Sequence, residues 1–489
     1  MSADVRSLGR HDDWSGVRAA VAGFGVSGFA AADNLLHLGA SVVALDEKAD
    51  GNEEKAELLG VLGADIRLGA GTTETLPGDT DVLVVSPGWK PSAPLIAQAH
   101  ERRVPVWGEV ELAWRLRDDG PGRRPTPWLA VTGTNGKTTT VQMLDSILRA
   151  AGLRSVAVGN VGLPLVEAVM DPTPYDVFAV ELSSFQLHYT ESMSAESAVV
   201  LNLAEDHLDW YDGPHGLADY ATDKGRIYRH AQRACVYNVA DPETERLVRD
   251  ADVEEGARAI GFTLGMPGVG MVGVVDQILV DRAFIAERQS SAAELCTIDD
   301  LPSPAPHVVA NALAAAALAR AHGVPQAAVR DGLRGFRFDG HRIATVRTVA
   351  GVTYVDDSKA TNPHAARSSL LGYDHVVWVA GGLAKGAHFD ELVEATRDRL
   401  RAAVLIGRDR DVIAGALARH APDVPVIAVD ADETGTGHAA MERAVVAARD
   451  LAQPGDTVLL APGCASMDMF ANYADRGDAF AAAVRGLTA

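Results

Sequence analysis

The sequence predicts an α/β protein of three domains, each built on a mainly parallel sheet covered by helices. Three observations predict it. Three times an apolar, strand-like run ends in a glycine-rich turn and leads towards a helix: VRAAVAGFGVSGFAAADNLL, PWLAVTGTNGKTTTVQMLDSILRAAG, and HVVWVAGGLAKG followed by FDELVEATRDRL. Strands alternating with helices make parallel sheets, because each crossover helix packs back onto the sheet. The length of 489 residues suits about three domains at roughly 100–200 residues each. The third observation is the punctuation. DDGPGRRPTPW (118–128) is rich in Pro, Gly and charge and reads as a linker, and a new strand-rich segment, IATVRTVAGVTYVDD, begins after GFRFDGHR. The expected domains are therefore 1–119, 120–338 and 339–489. No fixed period recurs, which excludes a short-repeat solenoid.

Bulk composition narrows the function classes. The chain is 47% hydrophobic and 22% charged, ordinary for a soluble globular protein. A net charge of -22 disfavours nucleic acid or an anionic membrane as the main partner, although a local loop can still bind phosphate. Three scattered cysteines, Cys235, Cys296 and Cys464, form neither a metal pattern nor a disulfide framework and suit a reducing compartment. The start, MSADVRSLGRHDDW, is polar, unlike a signal peptide, and no apolar run is long enough to span a membrane. The expectation is a cytoplasmic, monomeric enzyme with no nucleic-acid partner and no membrane insertion.

In the first domain Gly23, Gly25 and Gly28 form G-x-G-x-x-G between a strand and a helix, and Asp46 ends the next strand. Such a turn brings backbone and a helix N-terminus close to an anion, and it predicts a Rossmann-like domain. A bare strand-to-helix turn and a nicotinamide site are the alternatives. A second loop, VVSPGWKPSAPL, is positioned to close over the same crevice through Ser86 to Gly88, or is a plain proline turn.

The second domain carries VTGTNGKTTT at 131–140. Gly136, Lys137 and Thr138 match the end of a phosphate loop, but the usual first-glycine position is Val131 and the earlier glycine is Gly133. The shortened loop still works physically. Gly133 and Gly136, with Thr134 and Asn135 between them, let backbone N–H groups turn inward; Lys137 supplies charge to the β/γ-phosphates and Thr138 a hydroxyl to Mg²⁺. The helix that follows, through Thr139, points its positive end at the phosphates. Glu181 follows the strand YDVFAVEL and His207 the strand AVVLNLAEDHLDWY, at ends where parallel sheets hold ligands. A carboxylate suits Mg²⁺; a histidine suits it less and calls for an anionic companion. Taken singly, Glu181 reads as a solvated side chain and His207 as a satisfied hydrogen-bonder.

Together GTNGKTTT, GNVGLP, ELSSFQL and EDHLDWY resemble the Mur ligase family, ATP-dependent amide-forming ligases of peptidoglycan assembly with folylpolyglutamate synthases as relatives. That family carries the short loop. The resemblance covers nearly the whole chain in motif order and implies a central P-loop ATPase-like domain and a C-terminal Rossmann-like domain. AGFGVSG, DDSKATNP, GGLAKGAHFD and APGCASMDMFANYADRG are similar to members that add D-glutamate to UDP-N-acetylmuramoyl-L-alanine, while the DNPR motif of diaminopimelate-adding members is absent.

The resemblance implies the following roles. Lys137 and Thr138 hold the ATP phosphates and a first Mg²⁺, with Glu181 as a further ligand. His207 binds a second Mg²⁺ and lies near the acyl phosphate. Lys224, in ATDKGRIY, is carbamylated by CO₂, which turns a repelling cation into the anion His207 lacks; read alone it is a helix-surface lysine. Asn311 contacts adenine, Arg342 the γ-phosphate and Asp357 the ribose. The Gly23–Gly28 turn becomes a diphosphate seat, Val26, Ser27, Asp46 and Gly88 match positions that contact the UDP part of the substrate, Asn160 touches the muramoyl part, and His207 also binds this substrate. D-Glutamate falls to Lys359, Thr361, Lys385, Ser466, Met467 and Tyr473, with Ser466 and Met467 opening a helix whose N-terminus suits a carboxylate. Two departures stand out. Glu47-Lys48 follows Asp46 where the relatives have Thr-Arg, which leaves a uracil contact open, and Tyr473 replaces a Phe, so its hydroxyl needs a partner. The rival readings are another Mur ligase or a folylpolyglutamate synthase, an NAD oxidoreductase using Gly23–Gly28, and a nucleotide-dependent switch without turnover.

Overall fold

A computed structural model describes residues 4–49, 51–120, 122–207, 210–211, 215–338, 340–430 and 437–487. Its strands form three sheets, one around each glycine turn. The first sheet contains β1 (Arg18–Ala22), β2 (Ser41–Asp46), β3 (Asp65–Leu68), β4 (Val82–Val85) and β5 (Val106–Gly108), all parallel, in the order β3-β2-β1-β4-β5. The order reverses between β1 and β4, which opens a crevice at the carboxyl end of β1. The Gly23 turn and Ser86 meet there, the Ser86 hydroxyl donating to the Gly23 carbonyl at 3.0 Å.

The second sheet contains β6 (Trp128–Thr132), β7 (Ser155–Gly159), β8 (Val177–Glu181), β9 (Ser197–Val200), β10 (Ala234–Asn238), β11 (Arg258–Phe262), β12 (Met271–Val275), β13 (Ile278–Asp281) and β14 (Ala293–Thr297). The order is β14-β13-β12-β11-β10-β9-β6-β8-β7, with only the β12–β13 and β13–β14 pairs antiparallel. Strand β6 lies between β8 and β9, so the phosphate loop at its end sits at the reversal of strand order. Uninterrupted apolar runs such as WLAV are what a strand covered on both faces needs.

The third sheet contains β15 (Ala344–Val349), β16 (Val352–Asp356), β17 (Val376–Gly381), β18 (Leu400–Ile406), β19 (Val426–Ala428) and β20 (Thr457–Leu460), in the order β15-β16-β20-β17-β18-β19. Only β15 runs antiparallel. Alternate residues feed two cores, Tyr354, Val377 and Val404 on one face and Val355, Trp378 and Leu405 on the other, as period-2 side-chain alternation requires.

The chain divides into two compact units. One holds the first two sheets; the other holds residues 204–212, 305–307 and those from Arg337 onward. The first two sheets share one hydrophobic core, running from Val21 and Val84 through Trp107 and Val110 to Trp128 and Phe178. The helix Glu109–Arg115 adds two buried carboxylates to that seam. Glu109 Oε1 accepts from Val166 N at 2.6 Å, and Glu111 Oε2 accepts from Glu191 N and Ser192 N at 2.8 and 2.9 Å.

Burial pushes the Glu109 carboxyl from 4.5 up to about 7. A raised carboxyl pKa favours the folded state most below the unfolded value, and that advantage is lost as pH rises through the folded one. Glu109→Gln keeps the acceptor and removes the ionisation. Its melting temperature is expected to match the parent's near pH 4 and to exceed it progressively between pH 5 and 8. A difference that does not change with pH would contradict this. The three cysteines are all buried and unpaired, and burial pushes each thiol up to about 12.

Candidate active site

The phosphate loop is built by two glycines in the left-handed region, Gly133 at φ 153° and Gly136 at φ 83°. Both are also sterically required. A Cβ on Gly133 would stand 3.0 Å from Leu201 Cβ, and one on Gly136 would overlap the Asn311 amide. Gly136 caps the helix Lys137–Ala150, whose first-turn N–H groups have no intrahelical partner and face the loop. Asn202 braces the loop from β9's end, accepting from Asn135 N at 2.9 Å and donating to Asn135 O at 3.1 Å. The Thr134 hydroxyl meets Tyr220 Oη at 3.0 Å. Thr138 and Thr139 are buried behind it.

Two lysines converge on this loop. Lys137 Nζ donates to Gly133 O and Thr134 O, each at 2.9 Å. Lys224, on the helix Gly216–Gly225, is only 2% exposed, and its Nζ also donates to Gly133 O at 2.9 Å. It lies 4.6 Å above the Tyr220 ring. This is not a surface lysine. Two ammonium groups sharing one carbonyl oxygen repel each other at short range, and conversion of Lys224 to an anion would reverse the sign.

Glu181, the last residue of β8, stands in register with Val131 and Gly159 on the neighbouring strands. It is 1% exposed. Its Oε1 accepts from Asn160 Nδ2 at 2.9 Å, while Oε2 is buried with no hydrogen-bond partner among the described residues. A buried carboxylate oxygen left open is costly unless a cation or donor completes it, and the Thr138 hydroxyl and Glu181 form a hard oxygen donor set that suits Mg²⁺. Asn160 therefore orients Glu181, whatever else it touches. His207 departs from expectation in its backbone. Strand β9 ends at Val200, and residues 201–207 form no strand. The stretch carries Asn202 and Asp206 in place of alternating apolar residues; Asn202 turns to the phosphate loop and Asp206 accepts from His207 N. His207 sits at φ 55°, with Nε2 3.6 Å from Asp206.

In the first sheet, Gly28 lies so close to the Gly23 carbonyl that no Cβ fits. Asp46 Oδ2 accepts from Phe24 N at 2.6 Å and its Oδ1 from Lys48 N at 2.9 Å. Asp46 thus fastens the glycine turn to β2. Val26 is 66% exposed at the start of the helix Val26–His37, and Gly88 is exposed at φ 105°. Ser27 is half-buried beside Val26. Glu47 binds the facing loop, accepting from Gly71 N, Thr73 N and the Thr73 hydroxyl, which holds its carboxyl below the usual range.

The second unit has its own cluster at the carboxyl ends of β16, β17 and β20. Lys359 Nζ donates to Tyr473 Oη at 3.1 Å and lies 4.6 Å from the ring centroid, so the Tyr473 hydroxyl has a partner. Asp357 is buried, accepting from the Ser369 hydroxyl and from Ile343 N; burial pushes its carboxyl up to about 6 against that hydrogen bond and the Arg342 charge. Burial and Arg342 push the His307 imidazole down to about 4. Lys385 is exposed at φ 51°, and Thr361 is half-buried.

Ser466 and Met467 do not open a helix. They open a turn in which Ser466 O accepts from Met469 N and Phe470 N, and the helix starts later, at Tyr473, capped by Asn472. Asn472 wins because its side chain accepts from both Ala474 N and Asp475 N. Arg476 is a residue the motifs did not single out. It is 1% exposed and donates to Ser358 Oγ, Ser358 O and Cys464 O, tying the loops after β16 and β20 together. No local signal marks it, because the same helix carries Asp475, Asp478 and Arg485.

A glycine loop that ends in Lys137 and Thr138 on a helix start, at the strand-order reversal of the second sheet, marks the P-loop nucleotide-binding class. A family model described as the Mur ligase middle domain matches residues 131–319, and one described as the Mur ligase glutamate ligase domain matches 341–464. The chain belongs to the Mur ligase family. It is 62% identical over 482 residues to a UDP-N-acetylmuramoylalanine--D-glutamate ligase of Streptomyces avermitilis, covering 98% of this chain and 100% of that one. It is 46% identical to the protein of that description from Mycolicibacterium smegmatis, over 96% and 97% of the two chains. Among solved structures it is similar to a UDP-N-acetylmuramate-alanine ligase from Thermotoga maritima, at 18% identity and TM-score 0.55, covering 96% of this chain and 99% of that one. That likeness concerns the fold.

Proposed function

We propose that the chain joins D-glutamate to UDP-N-acetylmuramoyl-L-alanine at the expense of ATP, in peptidoglycan precursor synthesis. The observation that carries the reading is full-length likeness, at 62% identity, to proteins described by that reaction. The loop residues Gly133 to Thr139 bind the ATP phosphates, with Asn311 at adenine, Arg342 at the γ-phosphate and Asp357 at the ribose. The substrate carboxylate takes the γ-phosphoryl group, giving an acyl phosphate and ADP. The amine of D-glutamate then attacks the activated carbonyl, loses a proton, and the tetrahedral intermediate expels phosphate. Charge builds on the phosphoryl oxygens, and Lys137 with the helix N-terminus answers it. Thr138, Glu181, His207 and carbamylated Lys224 would hold two Mg²⁺ ions, which neutralise phosphate charge when bound. The open Glu181 oxygen and the shared acceptor of the two lysines support that set.

The first sheet binds the UDP part of the substrate through Val26, Ser27, Asp46 and Gly88, with the Gly23–Gly28 turn at the diphosphate and Asn160 towards the sugar. Lys359, Thr361, Lys385, Ser466, Met467 and Tyr473 receive D-glutamate. The three sheets act as domains 1–119, 120–338 and 339–489 of a cytoplasmic monomer. The test is phosphate release from ATP and Mg²⁺ with UDP-N-acetylmuramoyl-L-alanine while the amino acid is varied. Release is expected with D-glutamate and not with L-glutamate. Release with a different amino acid alone, or with a folate substrate, would keep the ligase chemistry and overturn the assignment of the third sheet's site.

A further inference from the structure

We propose that Tyr189 is a positioning residue that sets the affinity for the UDP-linked substrate by fixing, from the second sheet's side, the loop that carries Gly88. The inference rests on the functional reading above. Its geometry lies within the first compact unit. Tyr189 follows the short helix Ser184–His188 and is 7% exposed. Its hydroxyl donates to the backbone carbonyl of Trp89 at 2.7 Å, the residue after Gly88. The Trp89 ring in turn lies against the glycine turn: a Cβ added to Gly23 would stand 3.0 Å from Trp89 Nε1. One hydroxyl from the second sheet's side therefore anchors the loop that faces the Gly23–Gly28 turn.

Tyr189 is itself held on three sides. Its carbonyl accepts from Gly108 N at 3.0 Å, at the end of β5. Its ring meets the His188 ring edge-on, centroids 4.7 Å apart. His188 Nδ1 pairs with Asp223 Oδ2 at 2.8 Å, next to Lys224, and Arg226 closes the group by donating to His188 O at 2.6 Å. The contacts run without a gap from the Gly23 turn to the residue beside Lys224. Burial and the Asp223 charge raise the ionisation of the Tyr189 phenol, so it stays a donor throughout the neutral range. A Phe at 189 would keep the ring and leave the half-buried Trp89 carbonyl without this donor. The loop then has to be ordered by the substrate itself, and the expected tenfold loss of affinity corresponds to about 1.4 kcal/mol.

The test is steady-state kinetics of Tyr189→Phe beside the parent, with melting temperature recorded. The expected result is a KM for UDP-N-acetylmuramoyl-L-alanine raised about tenfold, with KM for ATP and D-glutamate and kcat within about twofold. A KM for the UDP substrate equal to the parent's overturns the proposal. So does a uniform loss across all parameters that follows a lower melting temperature, which marks a purely structural role. If Tyr189→Phe does not fold, Tyr189→His, an aromatic ring too short to carry a donor to the Trp89 carbonyl, is read by the same criterion, and a KM for the UDP substrate equal to the parent's overturns the proposal. Failure of the functional reading is separate: the parent itself would then show no turnover with this substrate.

Discussion

Lys137→Ala is expected to lower ATP-dependent phosphate release by about a hundred- to a thousandfold, the usual loss when one fixed donor to a developing negative charge is removed. Lys137 Nζ rests on Gly133 O and Thr134 O, two carbonyls it must partly leave to meet a phosphate. The fold does not depend on it: the loop is set by Gly133, Gly136 and the Asn202 brace. The melting temperature is therefore expected to stay within a few degrees of the parent's. Lys137→Arg should recover little, because a planar fork does not replace a compact ammonium in a cradle this tight. Activity of Lys137→Ala within threefold of the parent, measured as phosphate release, would take the loop out of the reaction.

Lys224→Ala should lose a hundredfold or more in the same assay. The informative result is which small molecule restores it. If the side chain works as a carbamate, formate or acetate will refill the buried space beside Gly133 O with negative charge and recover part of the activity. If it works as the ammonium that donates to Gly133 O at 2.9 Å, methylamine will rescue and the carboxylates will not. Full activity without any addition would remove Lys224 from the site altogether.

The three sheets were legible because each is announced locally, by an apolar run that meets a glycine turn. The loop at Gly133–Gly136 and the turn at Gly23–Gly28 are recognisable within ten residues, although Asn202, Asp46 and Ser86 brace them from further along the chain. The failures have a common cause. Ser466 read as a helix start because a serine after a strand is a good cap, but Asn472 offers two backbone hydrogen bonds further on and the helix begins there. The run to His207 read as strand because its first residues are apolar, while Asn202 and Asp206 divert it. Glu109, Glu111, Tyr189 and Arg476 were invisible for another reason. Each has a partner 57 to 118 residues away, and nothing nearby distinguishes them from solvated charges or packed rings. Whether Lys224 was buried was equally undecidable, since its helix is polar on most sides.

The three unionised cysteines have a practical use. Thiolates are the species that alkylating probes attack, and Cys235, Cys296 and Cys464 offer almost none at neutral pH. A cysteine placed on the surface, for instance at Val61 or Met266, both exposed, would be the one thiol that a maleimide dye reaches. Spectroscopic labels can thus be introduced site by site into the parent chain, with its three native cysteines left in place.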